Sequence, residues 1–163
     1  PNLRPLFDFQ LVGTENLGGT EVYVVSFKQK AQTPLIAVNE KEKNLPDDLA
    51  LSFDVNLPGE LKKEGVVLRG KLWIDAKTFQ IRREESELIA RETDPVLLLQ
   101  NNFEYQPSQF EILVPKTVSV TVYKPKKEKG GKYSSLKDSY INFEYSRFRK
   151  TNVEVRILDD ETE

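Results

Sequence analysis

The chain has 163 residues, of which 38% are hydrophobic and 31% are charged, with 24 Lys and Arg against 26 Asp and Glu. A chain of this length fits one domain and buries roughly 70% of its extended surface on folding, so we expect a hydrophobic core. The near-balance of charge argues against nucleic acid as the main partner, because phosphate-binding domains usually carry a clear basic excess.

The sequence lacks three residue types that carry much of protein chemistry: it contains no Cys, no His and no Met. Their absence removes disulfides, thiolate zinc sites, Cys nucleophiles and Ser-His-Asp chemistry, and we expect neither a metal nor another cofactor. Because the chain begins at Pro1 without Met, we interpret it as one from which a signal peptide or N-terminal segment could have been trimmed. No run of about 18 apolar residues is present, so no transmembrane helix is predicted.

The first predicted element is a β-hairpin. Pro5–Val12 and Thr20–Lys28 alternate between apolar and polar residues, and the Gly-rich run from Gly13 to Gly19 supplies the connection. Alternation with a period of two places one set of side chains on a single face. The residues on the apolar face of this hairpin are Phe7, Phe9, Leu11, Tyr23, Val25 and Phe27.

A long excursion follows at Ala31–Glu64, which contains three Pro residues and the charged run Glu40–Lys43. A short alternation from Leu49 to Val55 predicts one edge strand within it. Charge and Pro content favour a solvated insertion, and a functional loop is the alternative.

The clearest pattern is a second hairpin, formed by Val66–Asp75 and Phe79–Glu92 around a turn at Asp75-Ala76-Lys77-Thr78. The first run alternates, as in a half-buried antiparallel strand. Its apolar face holds Val66, Leu68, Leu72 and Ile74, and its other face holds Arg69, Lys71, Trp73 and Asp75.

The remainder of the chain reads as further strands. Pro95–Gln106 opens apolar and then alternates between apolar and polar residues, which predicts a strand, with a short helix over Pro95–Asn101 as the alternative. Pro115 predicts an edge or a bulge within the strand Gln109–Tyr123. The other predicted elements are a polar loop at Lys124–Lys132, strands at Ser139–Phe148 and Asn152–Leu158, and an acidic tail at Asp159–Glu163.

Four segments in this order, GTENLGGTEVYVVSFKQK, GKLWIDAKTFQIRREE, ILVPKTVSV and SYINFEYSRFRK, resemble the C-terminal two-thirds of the periplasmic lipoprotein-sorting-like (LolA-like) proteins. In that superfamily a G-x-vY-v-l hairpin precedes a G-x-lWiD-x-xT-f-x-i-r-r-E hairpin, a P-x-x-v strand and a Y-x-x-[FY]-r pair. The piece Gly70–Glu84 is the most specific. The chain departs from the family in lacking the preceding strands and lid helices and in the length of its excursion.

The alternating runs predict an all-β fold with few or no helices and about eight strands. The resemblance implies that these strands form a curved antiparallel sheet, an open, incomplete β-barrel whose open side is covered by helices in the family. We expect residues 1–163 to form a single domain. The resemblance also implies a periplasmic or otherwise exported, non-enzymatic protein whose apolar concave face binds an acyl chain or a lipoprotein segment. Parity within a strand does not reveal which face is concave. The candidate ligand-binding residues are Phe7, Phe9, Tyr23, Phe27, Leu72, Trp73, Ile74, Phe79 and Ile81.

Charged residues around Trp73 leave two interpretations open. Trp73 either stacks on a ligand or packs under a lid or against an arginine from a neighbouring strand. Arg82 and Arg83 either grip a headgroup or partner at the mouth of a cavity or form cross-strand ion pairs on a solvated face.

The remaining charges predict a solvated surface rather than a catalytic site. No spacing singles out an acid–base pair among the strand carboxylates, which we expect on the wet face. These are Glu84, Glu85, Glu87, Glu104, Glu111 and Glu144. The five lysines of the predicted loop Lys124–Lys132 fit a solubilising hairpin end, with contact to an anionic membrane surface as the alternative. A protein–protein interaction module that uses sheet edges or the 31–64 loop is the alternative to hydrophobic-ligand binding.

Overall fold

The computed structural model describes residues 4–30, 36–37, 51–52 and 57–149, and strands dominate them. A 3-10 turn at Arg4–Leu6 leads into the first strand. The strands are β1 (Phe7–Leu17), β2 (Thr20–Gln29), β3 (Ile36–Ala37), β4 (Leu51–Ser52), β5 (Val66–Asp75), β6 (Ile81–Ala90), β7 (Val96–Pro107), β8 (Leu113–Lys127) and β9 (Tyr133–Glu144), and the helix α1 spans Gly59–Glu64.

Seven of these strands form one antiparallel sheet in the order β1-β2-β5-β6-β7-β8-β9. Each strand pairs with the next along the chain except where β2 pairs with β5 across the excursion. Among the described strands β1 and β9 are the two edges, so the sheet is open and is not closed into a barrel. The predicted all-β open sheet is confirmed. β3 and β4 form a separate parallel pair.

The first hairpin is confirmed, but its turn is shorter than the predicted connection at Gly13–Gly19. β1 continues to Leu17 through a bulge at Val12, since Leu11 pairs with Val25 and Gly13 with Val24. Positive φ angles at Gly18 (59°) and Gly19 (86°) form a two-residue turn of the mirror-image class, which matches the twist of paired strands. The Asn16 side-chain oxygen accepts a hydrogen bond from the Gly19 N–H at 2.8 Å and holds the turn closed.

The turn between β5 and β6 is organised by Asp75. Its Oδ1 accepts hydrogen bonds from the N–H groups of Lys77 (2.9 Å) and Thr78 (3.0 Å). The second strand starts at Ile81, two residues later than predicted. Phe79 lies in the turn with a φ of 57° and its side chain 72% exposed, so its assignment to the strand was wrong. The alternation of the sequence continues through Phe79, although the chain has not yet entered the strand.

Three further expectations can be compared with the described elements. The strand predicted at Pro95–Gln106 is confirmed as β7 (Val96–Pro107), and the alternative of a short helix over Pro95–Asn101 is wrong. The irregularity at Pro115 is confirmed as a bulge, because Glu104 pairs with Thr117 and Tyr105 with Pro115. The polar loop is shorter than the predicted Lys124–Lys132, since β8 continues to Lys127 and β9 begins at Tyr133.

Parts of the sequence predictions cannot be compared with an element. The strand at Asn152–Leu158 and the acidic tail lie outside the described residues. So does most of the 31–64 excursion, of which β3, β4 and α1 are described. The helix α1 was not predicted.

The larger core cluster forms where α1 covers one end of the sheet. Leu57 and Leu61, 3% and 0% exposed, pack on side chains from β6 and β7. Burial of apolar side chains stabilises the fold by roughly 25 cal/mol per Å² of apolar surface removed from water. The buried residues contributed by the two strands are Leu88, Ala90, Val96, Leu98 and Leu99. No helix in the described part of the chain is long and apolar enough to cross a membrane.

Candidate functional site

A continuous row of seven side chains, one from each strand, crosses the middle of the sheet. Directly opposed residues on paired strands share a face, so the row can be followed from pair to pair. Six members are apolar and the fourth is Glu84. In strand order the row, here named the central apolar row, is Leu11, Val25, Leu72, Glu84, Phe103, Val118 and Phe143.

The neighbouring row lies on the opposite face, because successive side chains of a strand alternate between faces. Every strand contributes a polar residue to it. It consists of Gln10, Ser26, Lys71, Glu85, Asn102, Ser119 and Asn142. The two rows define an apolar face and a polar face of the same sheet.

Glu84 is the exception in the central apolar row. Its cross-strand neighbours are Leu72 on β5 and Phe103 on β7. Burial raises the pKa of the Glu84 carboxyl above its usual value. Burial and the Glu84 charge together raise the pKa of the Tyr105 phenol. Among the described residues, Glu84 makes neither a hydrogen bond nor an ion pair. The expectation that the strand carboxylates lie on the wet face was therefore wrong for Glu84.

An aromatic cluster borders the central apolar row on the same face. The rings of Phe7 and Phe9 lie 5.8 and 6.4 Å from that of Phe27. The Phe27 ring also occupies the space beside Gly70, where a Cβ would lie 2.6 Å from it and 2.1 Å from the Glu85 carbonyl oxygen. Gly70 therefore allows a close approach of Phe27 and of strand β6, which any side chain would prevent.

The polar face carries a cavity of about 830 Å³ around the middle of β1, β2, β5 and β6. Its lining includes Arg69, which donates to Glu87 at 3.0 Å, and Glu85, which pairs with Arg83. Lys71 is exposed at its edge and forms no ion pair with another described residue. Most charged residues of the lining are thus paired with an opposite charge, in several cases one outside the lining, and the lining differs from the predicted apolar site.

Trp73 belongs to the polar face and forms a second, smaller core there with Val22 and Val24. It is 7% exposed, and its Nε1 donates to Glu15 Oε2 at 2.9 Å. The guanidinium carbon of Arg83 lies 4.8 Å from the ring centroid, a cation–π arrangement. The contacts correspond to the packing interpretation of Trp73, against an arginine of the neighbouring strand.

Arg82 and Arg83 occupy different surroundings although they are adjacent. Arg82 Nε donates to Asp75 Oδ2 at 2.7 Å and supports the turn after β5. Arg83 covers Trp73 and pairs with Glu85 on its own strand. Both arginines are therefore engaged by carboxylates on described residues.

The candidate ligand-binding residues divide among three places. The apolar face brings together Phe7, Phe9, Tyr23, Phe27, Leu72, Ile74 and Ile81. The polar face holds Trp73, and the turn holds Phe79. The residue that sequence reasoning missed is Glu84. The alternation of the strand predicts that Glu84 lies on the face opposite to Arg83 and Glu85. Its place opposite Leu72 depends on the register between β5 and β6, which the sequence does not reveal.

The predicted lysine loop is a hairpin end whose charges are mostly paired. Lys124 lies 2.6 Å from Asp138, and Lys126 lies 3.2 Å from Glu128. Lys127 donates to the Glu60 carboxylate of α1 at 2.9 Å, which fixes the helix to the hairpin. The strand assignment of Glu111 was wrong, since it lies between β7 and β8 with a φ of 60°.

Neither a metal site among the described residues nor a match to a known protein adds to the description of the site. Within the described ranges, no group of three or more Asp or Glu side chains is arranged to hold a metal ion. No protein-family model, curated protein or solved structure matches the chain.

Proposed function

We propose that this chain is a non-catalytic, exported β-domain that binds a hydrophobic ligand, an acyl chain or an apolar lipoprotein segment, on the apolar face of its sheet. The central apolar row is the observation that carries the proposal. The sequence supports a non-catalytic role, since it contains neither His nor Cys. Export is supported by the resemblance of the four sequence segments to lipoprotein-sorting proteins.

The accessibility of the apolar face supports the proposal further. Leu11 and Phe143, at the two ends of the central apolar row, are 61% and 47% exposed. Phe9 and Ile141, which lie on the same face, are 47% and 46% exposed. These exposed side chains form one group at the β1 edge and a second at the β9 edge, and grouped exposed apolar side chains mark interaction surfaces. A ligand that covered them would gain roughly 0.8 kcal/mol per buried methylene.

The experiment measures the binding of N-phenyl-1-naphthylamine, a neutral fluorescent probe, to the wild-type chain and to two matched variants. Phe143→Ser removes an aromatic side chain from the apolar face. Tyr140→Ser removes one from the same strand but from the polar face, where Tyr140 opposes Thr121. We expect at least about fivefold weaker binding for Phe143→Ser, because full burial of a Phe contributes roughly 1.5–3 kcal/mol.

Tyr140→Ser is expected to change the dissociation constant by less than about twofold, since Tyr140 is 55% exposed and lies away from the apolar face. The proposal is wrong if the wild-type chain does not bind the probe up to high micromolar concentration. Equal losses in the two variants would also contradict it, because the site would then not belong to the apolar face.

A protein-interaction module remains the second candidate, and the edge strand β9 favours it. β9 spans twelve residues and most of its side chains are exposed. An unpaired strand edge offers a row of backbone groups to an added strand. Concentration-dependent protection of β9 amides from hydrogen exchange, without probe binding, would favour this candidate over ligand binding.

A further inference from the structure

The position of Glu84 restricts the chemistry of a ligand on the apolar face, an inference that rests on the proposed function. Glu84 stands on β6, the fourth of the seven strands, with three members of the central apolar row on either side. A molecule lying across the middle of the face would therefore cover this carboxylate.

Covering an unpaired carboxylate is unfavourable. Glu84 is half-buried and forms neither an ion pair nor a hydrogen bond with a described residue. Its direct cross-strand partners, Leu72 and Phe103, offer it no donor, and the Tyr105 phenol, whose pKa its charge raises, forms no hydrogen bond with it. A purely apolar ligand would remove the remaining water from the carboxylate without replacing its hydrogen bonds, which costs free energy. A carboxylate-bearing ligand would add like-charge repulsion.

The polar face does not present the same problem. Glu85, the next residue, pairs with Arg83, and Glu87 accepts from Arg69 at 3.0 Å. These carboxylates are compensated by arginines of the chain, whereas Glu84 has no such partner among the described residues. Glu84, Glu85 and Glu87 all lie on β6. The difference in their partners therefore comes from the face each occupies and not from their position along the sheet.

We propose that the apolar face selects cationic amphiphiles, in which an alkyl chain lies along the central apolar row and an ammonium group pairs with Glu84. With the ammonium group at Glu84, the alkyl chain extends from β6 along one half of the row, over its three apolar members on that side. The ammonium group donates to the carboxylate in a partly desolvated place, where a charge-assisted hydrogen bond is stronger than at a fully solvated surface.

The experiment compares three probes of equal chain length: dodecylamine, dodecanol and dodecanoate. Each displaces N-phenyl-1-naphthylamine from the protein at neutral pH and at concentrations below micelle formation. For the wild-type chain we expect dodecylamine to bind at least about tenfold more tightly than dodecanol, and dodecanoate to bind most weakly. A factor of ten corresponds to about 1.4 kcal/mol.

Two variants locate the preference. Glu84→Gln keeps the shape of the side chain and removes its charge, so we expect dodecylamine and dodecanol to bind within about twofold of each other. Glu85→Gln removes the adjacent carboxylate on the polar face and should preserve the wild-type order of affinities. Because Glu84→Gln removes a desolvated charge, the variant is expected to fold at least as stably as the wild type, which circular dichroism checks.

The outcomes separate the inference from the proposed function. If the protein does not bind N-phenyl-1-naphthylamine, the proposed function fails. If the probe binds but dodecylamine and dodecanol compete equally in the wild type, the inference fails and the proposed function stands. Retention of the amine preference by Glu84→Gln, or tightest binding of dodecanoate, also overturns the inference.

Discussion

At the scale of single residues, Asp75 shows how one carboxylate can organise a turn and tie stability to pH. The side chain accepts hydrogen bonds from the backbone N–H groups of Thr78 and Lys77 and from Arg82. These donors favour the charged form and lower the pKa of Asp75 from 3.8 to about 2. Because the pKa is lower in the folded than in the unfolded chain, the stabilisation is present above pH 3.8 and is lost as the pH falls towards 2.

We therefore expect Asp75→Asn to lower the urea midpoint of unfolding at pH 7, with a difference from the wild type that shrinks as the pH falls from about 4 to 2. The measurement is a urea titration at several pH values, followed by circular dichroism. Asp94→Asn is the control, because Asp94 is exposed in the segment between β6 and β7 and should leave the midpoint unchanged. A difference for Asp75→Asn that stays constant down to pH 2 would contradict the explanation.

At the scale of elements, the pairing of β2, β5 and β6 depends on Gly70. The side chain of Phe27 fills the space beside Gly70, and the Glu85 carbonyl oxygen approaches it from β6. Any Cβ there would overlap with backbone, which cannot move as a flexible side chain can. The close approach of Phe27 and of strand β6 therefore requires glycine at this position.

Gly70→Ala is expected to destabilise the fold by at least about 1–3 kcal/mol, the usual cost of forcing extra atoms into a packed region. Gly13→Ala is the matched control, because a Cβ at Gly13 meets no atom within 4 Å. Thermal and urea denaturation of both variants give the comparison. Equal stability of the two variants would show that the close approach at Gly70 is not required.

The elements also show what the sequence can predict and what it cannot. Alternation with a period of two assigned the faces of β5 correctly, because side-chain direction within a strand is local. The register between strands is not local: bulges after Leu11, Trp73 and Glu104 shift it. For this reason the apolar face was predictable, whereas the place of Glu84 within the central apolar row was not. The short helix α1 carries too few turns for a helical period to stand out.

At the scale of the whole molecule, two hydrophobic clusters lie in different parts of one sheet. The cluster under α1 includes Leu61, and the smaller cluster on the polar face includes Trp73. They share no residue, but β5 and β6 run through the regions of both. A continuous sheet of antiparallel strands transmits the loss of one cluster to the other, since neither half retains its strand pairing alone. We therefore expect the described sheet to unfold cooperatively.

Leu61→Ala tests this coupling. Leu61 is fully buried, so the substitution should lower the free energy of unfolding by about 2–5 kcal/mol through lost contacts and the cavity left behind. The fluorescence of Trp73, the single tryptophan of the chain, reports the distant cluster. Cooperative unfolding predicts that fluorescence and circular dichroism shift to the same lower midpoint. Leu11→Ala, the same substitution at a 61% exposed position, should change the free energy by less than about 0.5 kcal/mol. If the Trp73 midpoint stays at its wild-type value while the circular dichroism midpoint falls, the two clusters unfold independently and the sheet is not one cooperative unit.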